Sequence, residues 1–292
     1  MSKQTVKTEK VLPRFDLTIL NRLTNTTSIR RTYDDIRKYW KNDPVLKKLC
    51  LTRQVQSLTL PKNSDEEAAI SCLDYHFERF YLPTMSTTQA DAYINSIRSV
   101  LKFPEVIKLS TKGSAIIESV HHQSIFSIFY CLVAMCGEQH GFQHAIMMYQ
   151  QSEPDPRLIF IQHLLKKLYG IEVTLIQFDE SSHWYKQLKQ SVINKSIIVY
   201  LGDMSPNIFN GKASNSAHHK LQLVTSKNEN IELSRLSVAE KISQKLGVEH
   251  LVANIDINNK LTIETAEDAK FTLTCPLNSW VFWPAIGSVY EK

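Results

Sequence analysis

Apolar positions recur every three or four residues through "SIRRTYDDIRKYWKND", "SDEEAAISCLDYHFERFY" and "TTQADAYINSIRSVLKF", the spacing of amphipathic helices. Ser64 and Thr87 are the expected N-caps of the last two. After Lys112 the rhythm changes. "SAII", "HAIMMY", "IEVTLIQF" and "SIIVYL" are short apolar runs, and helical stretches separate them: "QSIFSIFYCLVAMC", "DPRLIFIQHLLKKLYG" and "SSHWYKQLKQSVINK". Strand and helix alternating in this way predict an α/β fold: a mixed, largely parallel sheet with helices on both faces. Further on, "HKLQLVT" reads as a strand, "RLSVAEKISQKLG" as a helix, and "VEHLVANID" with "LTIET" as a strand pair. The expected organisation is a loose tail over 1–15, a helical region over 16–104 and an α/β region over 105–292, the last two forming one compact unit.

Composition narrows the class. Of 292 residues, 43% are hydrophobic and 22% charged, and Gly and Pro number 8 and 10, so neither a disordered nor a fibrous chain is expected. The opening "MSKQTVKTEKVLPRF" has no apolar core of the kind a signal peptide carries, and no uncharged run reaches membrane-span length. Five scattered cysteines (Cys50, Cys72, Cys131, Cys136, Cys275) suit reduced thiols, so a cytoplasmic protein is expected. The net charge of +5 is mild. Arg30, Arg31, Arg37, Lys38, Lys41, Lys47 and Lys48 form either a solvated basic face or a docking surface for an acidic carrier protein or phospholipid headgroup. No basic, aromatic-interleaved motif points to nucleic acid.

The candidate chemistry centres on "ESVHHQSIF". His121 and His122 fall at the carboxyl end of the first sheet strand, where open α/β sheets place their functional groups. A neutral imidazole there can act as a general base. Such a base needs an orienting acceptor. Glu118 is the nearest carboxylate in sequence, and Asp203 closes another strand, "SIIVYLGD".

A metal reading competes. "CLVAMCGEQHGFQH" gathers Cys131, Cys136, His140 and His144, and the spacing of Cys136, His140 and His144 would let them share one helix face as zinc ligands of a hydrolase. Gly137 and Gly141 interrupt that helix, and the usual cysteine spacing is absent. Neither a G-x-S-x-G elbow, a P-loop nor a G-x-G-x-x-G occurs. No cofactor is therefore expected.

The order of segments from "SIRSVLKFPEVIKLSTKGSAIIESVHHQSIFSIFYCLVA" through "SIIVYLGDMSP" to "CPLNSWVFWP" resembles the bacterial lipid A late acyltransferases and the lysophospholipid acyltransferase-like proteins, over roughly residues 90–285. In that family a histidine ends a strand and a carboxylate follows five residues later. Here the acid's place is Phe126 if His121 is the histidine, or Ser127 if His122 is, so the family's acid is missing. The resemblance implies a soluble acyltransferase that moves an acyl group from an acyl carrier protein or coenzyme A thioester to an amine or hydroxyl of a small or carrier-bound acceptor. Peripheral membrane contact stays compatible with it. His121 would be the base and His122 its stand-in. Glu118 or Asp203 would orient the ring, and backbone N–H groups after Gln123 would stabilise an oxyanion. Loss of the acid also fits a non-catalytic, partner-binding descendant of the same scaffold.

Overall fold

The computed structural model describes residues 18–19, 21–23, 25–45, 64–110, 113–149, 153–178, 183–192, 195–203, 219–224, 228, 230–235 and 237–280. The expected tail over 1–15, Lys47 and Lys48 lie outside them. Among the described residues, α1 (Ile29–Tyr39), α2 (Ser64–Tyr81) and α3 (Thr87–Val100) precede the sheet. Ile36 of α1 and Leu73 of α2 close a small core with Ile19, Leu23 and Trp40, and Tyr33 stacks on Phe77 at 4.0 Å between ring centroids. Pro83 lies in a 3₁₀ turn, Leu82–Thr84, that separates α2 from α3. The cap of α3 lies one residue before the expected Thr87. Ser86 accepts from the Gln89 N–H while the Gln89 side chain accepts from the Ser86 N–H, a reciprocal box.

The basic residues of α1 are largely compensated within the fold. Arg30 pairs with Asp34, Arg31 with Asp35 and Arg37 with Asp74, while Lys38 lies over the Tyr39 ring. This favours the solvated-face reading over a docking surface.

The sheet follows the expected alternation: β1 (Ala115–Ser119), α4 (Ile125–His140), β2 (His144–Tyr149), α5 (Pro156–Tyr169), β3 (Glu172–Gln177), α6 (His183–Ser191) and β4 (Ser196–Leu201). After β5 (Lys220–Val224) and β6 (Asn230–Ser234) come α7 (Val238–Leu246), β7 (Glu249–Ile255), β8 (Leu261–Thr265) and β9 (Thr272–Pro276). Six strands form one sheet in the order β3-β2-β4-β1-β7-β8. All neighbours are parallel except the β7–β8 hairpin. Every residue of β1 is buried, the signature of a strand covered on both faces. One face packs against α3, α4 and α5, through Ile94, Phe129, Leu132, Ile161 and Leu165 among others. The other packs against α6 and α7 through Leu188, Ala239 and Ile242. The α/β reading holds.

A second sheet of order β6-β5-β9 flanks the first. Strands β6 and β9 lie beyond the sequence expectation, which had only β5 there. Asn254 on β7 ties this sheet to the main one: its amide donates to Thr272 O and its carbonyl accepts from Thr274 N–H. No helix among the described residues is long and apolar enough to cross a membrane.

Candidate functional site

The chain enters the site from β1. Ser119 on β1 pairs with Leu201 on β4, and the Gly202 N–H donates to Ser119 O, continuing the ladder one residue further. This register carries His121 and Asp203, each two residues past the pair, to facing positions on the carboxyl rim. His121 Nδ1 lies 2.6 Å from Asp203 Oδ1. The His121 backbone N–H and the Trp280 indole N–H donate to Oδ2 at 2.8 and 2.7 Å. Asp203 is fully buried. Burial alone would raise its pKa, but the neighbouring imidazole and these hydrogen bonds outweigh it and hold the carboxyl below its usual range. An ionised carboxylate can only accept, so Nδ1 carries the ring proton and Nε2 is the basic nitrogen.

Trp280 arrives from the far end of the described chain. His122 forms an isolated antiparallel bridge with Trp280, and the Gln123 N–H donates to Ser279 O. A segment about 160 residues away in sequence thus clamps the histidine loop. In the sequence this tryptophan figured only as part of a resemblance to a closing motif, without a role.

His122 is built differently. Its Nδ1 accepts from the Ser124 N–H at 3.1 Å, so the proton sits on Nε2, which is buried without a hydrogen-bond partner. Burial pushes its pKa down to about 3. A ring with its lone pair engaged and its charged form excluded is no stand-in base. Two of the expected oxyanion donors after Gln123, the N–H groups of Ser124 and Ile125, are already engaged. The N–H groups of Gln123, Ser124 and Ile125 are spent on Ser279 O, His122 Nδ1 and His122 O.

Glu118 does not orient His121. It takes Arg235 Nη1 at 2.5 Å, Arg235 Nη2 at 3.2 Å and His250 Nε2 at 3.0 Å, with Glu118 and Arg235 fully buried. Burial raises its pKa and the Arg235 charge lowers it, with a net fall. Arg235 also donates to Lys220 O and Phe271 O, so this ion pair anchors the second sheet to β1. Arg235 and His250 carried no signal in the sequence that linked them to Glu118.

The zinc constellation is dispersed. Helix α4 ends at His140, with Gly141 in the left-handed region at φ 71°, so His144 begins β2 rather than a further helical turn. His140 Nε2 lies 2.7 Å from Ile107 O, His144 contacts Ser196 and Thr174, and burial pushes the Cys136 thiol up to about 12. Among the described residues, no three His, Cys, Asp or Glu side chains are grouped to hold a metal ion.

A further buried carboxyl, Glu78, lies beneath the first turn of α4. Ser127, one of the two places where the acid was sought, donates to Glu78 Oε1 at 2.5 Å, and Glu78 Oε2 has no hydrogen-bond partner. The other place, Phe126, lies under the Arg157 guanidinium at 3.8 Å. Asp155 clamps Arg157 from two oxygens at 2.9 Å. Burial lifts Glu78 to about 7 despite the opposing charge of Arg157. Helical periodicity alone gave no reason to single out Glu78 within α2.

No protein-family model and no curated protein matches this chain.

Proposed function

We propose that the protein transfers an acyl group from a thioester to an amine or hydroxyl, with His121 as general base. The observation that carries this reading is the His121–Asp203 dyad at the carboxyl rim of a parallel sheet. Asp203 supplies, from β4, the orienting carboxylate that "HHQSIFS" lacks at Phe126 and Ser127.

The chemistry follows from the tautomer. The acceptor's N–H or O–H gives its proton to His121 Nε2 as its lone pair attacks the thioester carbonyl carbon. Asp203, kept ionised, stabilises the imidazolium that results. Collapse of the tetrahedral adduct breaks the C–S bond, and the leaving thiolate takes the proton back from Nε2. The family resemblance, the rim position and the third hydrogen bond from Trp280 all support this assignment.

Purified protein incubated with acyl-loaded carrier protein or acyl-coenzyme A and candidate amines tests it by intact-mass spectrometry. Acyl transfer that disappears in His121→Ala is the expected result. No transfer from any donor, with carrier protein still co-eluting, would make this a binding protein.

A further inference from the structure

Helices α1 and α2 close an apolar core of their own around Ile36, Trp40 and Leu73, apart from the core of the main sheet. Where α2 meets the rest of the molecule, polar and charged groups join the Tyr75 ring. Glu78 accepts from Ser127 in the first turn of α4, Arg79 lies 3.7 Å from Asp155, and the Tyr75 carbonyl accepts from Arg157 Nη1 at 2.8 Å. The Arg157 guanidinium lies between the Tyr75 and Phe126 rings, 4.1 and 3.8 Å from their centroids. Units with separate cores and a polar contact between them move against each other more readily than units that share one core. The Leu82–Thr84 turn supplies a hinge on the α3 side, because Leu82 is anchored in the main core and the Ser86–Gln89 box fixes the start of α3.

The same helix meets the histidine loop's neighbours on two sides. It packs against the Leu277–Ser279 turn, whose Ser279 carbonyl takes the Gln123 N–H, and through Glu78 it reaches Ser127 at the start of α4. His122, between them in the chain, is only 2% exposed. With α2 in place Glu78 is out of water. Its Oε2 has no hydrogen-bond partner, and Arg157, 3.8 Å away, is already clamped by Asp155. An ionised carboxyl is costly there and a neutral one is not, which is why burial lifts Glu78 to about 7. The other charges acting on it are Asp155, ahead of α5 and paired with Arg79, and Asp74 on α2, which Arg37 of α1 balances. Tyr93 of α3 also feels its charge. The Leu277–Ser279 turn has no titratable side chain.

We infer that α1 and α2 form a lid over the histidine loop, hinged at Leu82–Thr84 and latched by the neutral Glu78 carboxyl on Ser127, and that loss of the Glu78 proton to solvent releases it. Once lifted, α2 carries Glu78 into water, where the carboxyl returns to its ordinary value of 4.5. The closed form therefore holds a proton that the open form gives up. Closure is complete below pH 4.5 and weakens as pH rises through 7. Opening of the lid is then the step that admits a substrate to His121, and this part alone rests on the acyl-transfer reading.

Native-state hydrogen exchange on the full chain from pH 5 to 8, corrected for intrinsic rates, tests the lid without any turnover. The α2 amides should exchange through a local opening whose equilibrium constant rises about tenfold per pH unit between 5 and 7, while β1 exchanges only with global unfolding. Glu78→Gln keeps a neutral amide on Ser127 and should flatten that slope. Ser127→Ala should raise the opening constant at pH 5 several-fold or more. Carbethoxylation of His122 by diethyl pyrocarbonate should follow the α2 opening across the same range. Exchange of α2 only with global unfolding, an unchanged slope in Glu78→Gln, an unchanged constant in Ser127→Ala, or His122 labelling indifferent to the opening overturns the lid. A failed acyl-transfer assay leaves these results standing. If transfer occurs and Glu78→Gln keeps the wild-type pH profile of kcat/KM, the link between lid and chemistry is overturned.

Discussion

Asp203 faces His121 because Ser119 and Leu201 are register partners on adjacent parallel strands, and the two loops leave the sheet in step. The pairing is therefore a property of the sheet rather than of a flexible contact. Asp203→Asn keeps the shape but replaces an obligatory acceptor with a group that can present N–H to Nδ1. Acyl transfer should fall by about 10⁴-fold, the usual cost of losing an orienting aspartate. His121→Ala should reach background. Single-turnover mass spectrometry on both variants checks this, and an Asp203→Asn variant within tenfold of wild type would remove Asp203 from the mechanism.

Trp280 gives a finer test. Its indole N–H donates to the carboxylate oxygen that does not touch the ring. Trp280→Phe keeps most of the packing and deletes one hydrogen bond to a charged group, worth about 1.5–3 kcal/mol. Turnover should drop by roughly 10- to 100-fold as Asp203 loses part of its anchorage, while thioester affinity stays near wild type. A rise in KM with unchanged kcat would instead make Trp280 a substrate contact.

The main sheet was legible because its strands are covered on both faces and read as apolar runs, "SAII" and "SIIVYL" among them, with caps and glycines between. Strands β6 and β9 were not. "NIELS" and "TLTCP" are five residues each, with few apolar positions, and take their strand conformation from pairing with β5. The site divides in the same way. His121 and Asp203 were legible as strand-end residues, because position along a parallel strand predicts the rim. Glu118 was misjudged because proximity in sequence says nothing about which face a strand residue takes. Its partners, Arg235 and His250, lie more than a hundred residues away. The cysteine–histidine spacing misled because Gly141 stops the helix between His140 and His144.

Glu118 and Gly202 form a steric lock. A Cβ at position 202 would overlap Glu118 Oε1, which Arg235 and His250 prevent from moving aside. Gly202→Ala should destabilise the fold by about 1–3 kcal/mol. Glu118→Gln leaves the buried Arg235 guanidinium without its anionic partner and should cost about 3 kcal/mol or more. Urea midpoints measure both. Because Glu118 does not contact His121, turnover per folded molecule of Glu118→Gln should stay within a few-fold of wild type. A loss as large as that of Asp203→Asn would return Glu118 to the chemistry.

Glu78 and His122 set opposite pH dependences of stability. Glu78 has its pKa raised from 4.5 to about 7, so between those values the folded protein keeps a proton the unfolded chain has lost. Its contribution is complete below pH 4.5 and is lost as pH rises through 7. His122 has its pKa lowered from 6.5 to about 3, so the unfolded chain binds the extra proton. Its contribution is complete above pH 6.5 and is lost as pH falls towards 3. Taking pH from 7 to 5, each amounts to about 2 kcal/mol with opposite sign, so the two nearly cancel. His144 and His219, both lowered chiefly by burial, add to the His122 side. Glu78→Gln removes one arm of the balance. Urea unfolding of that variant should show stability falling by about 2 kcal/mol or more from pH 7 to 5, against a shallower change in wild type. Parallel pH profiles for the two proteins would mean that Glu78 is not the group that holds the proton.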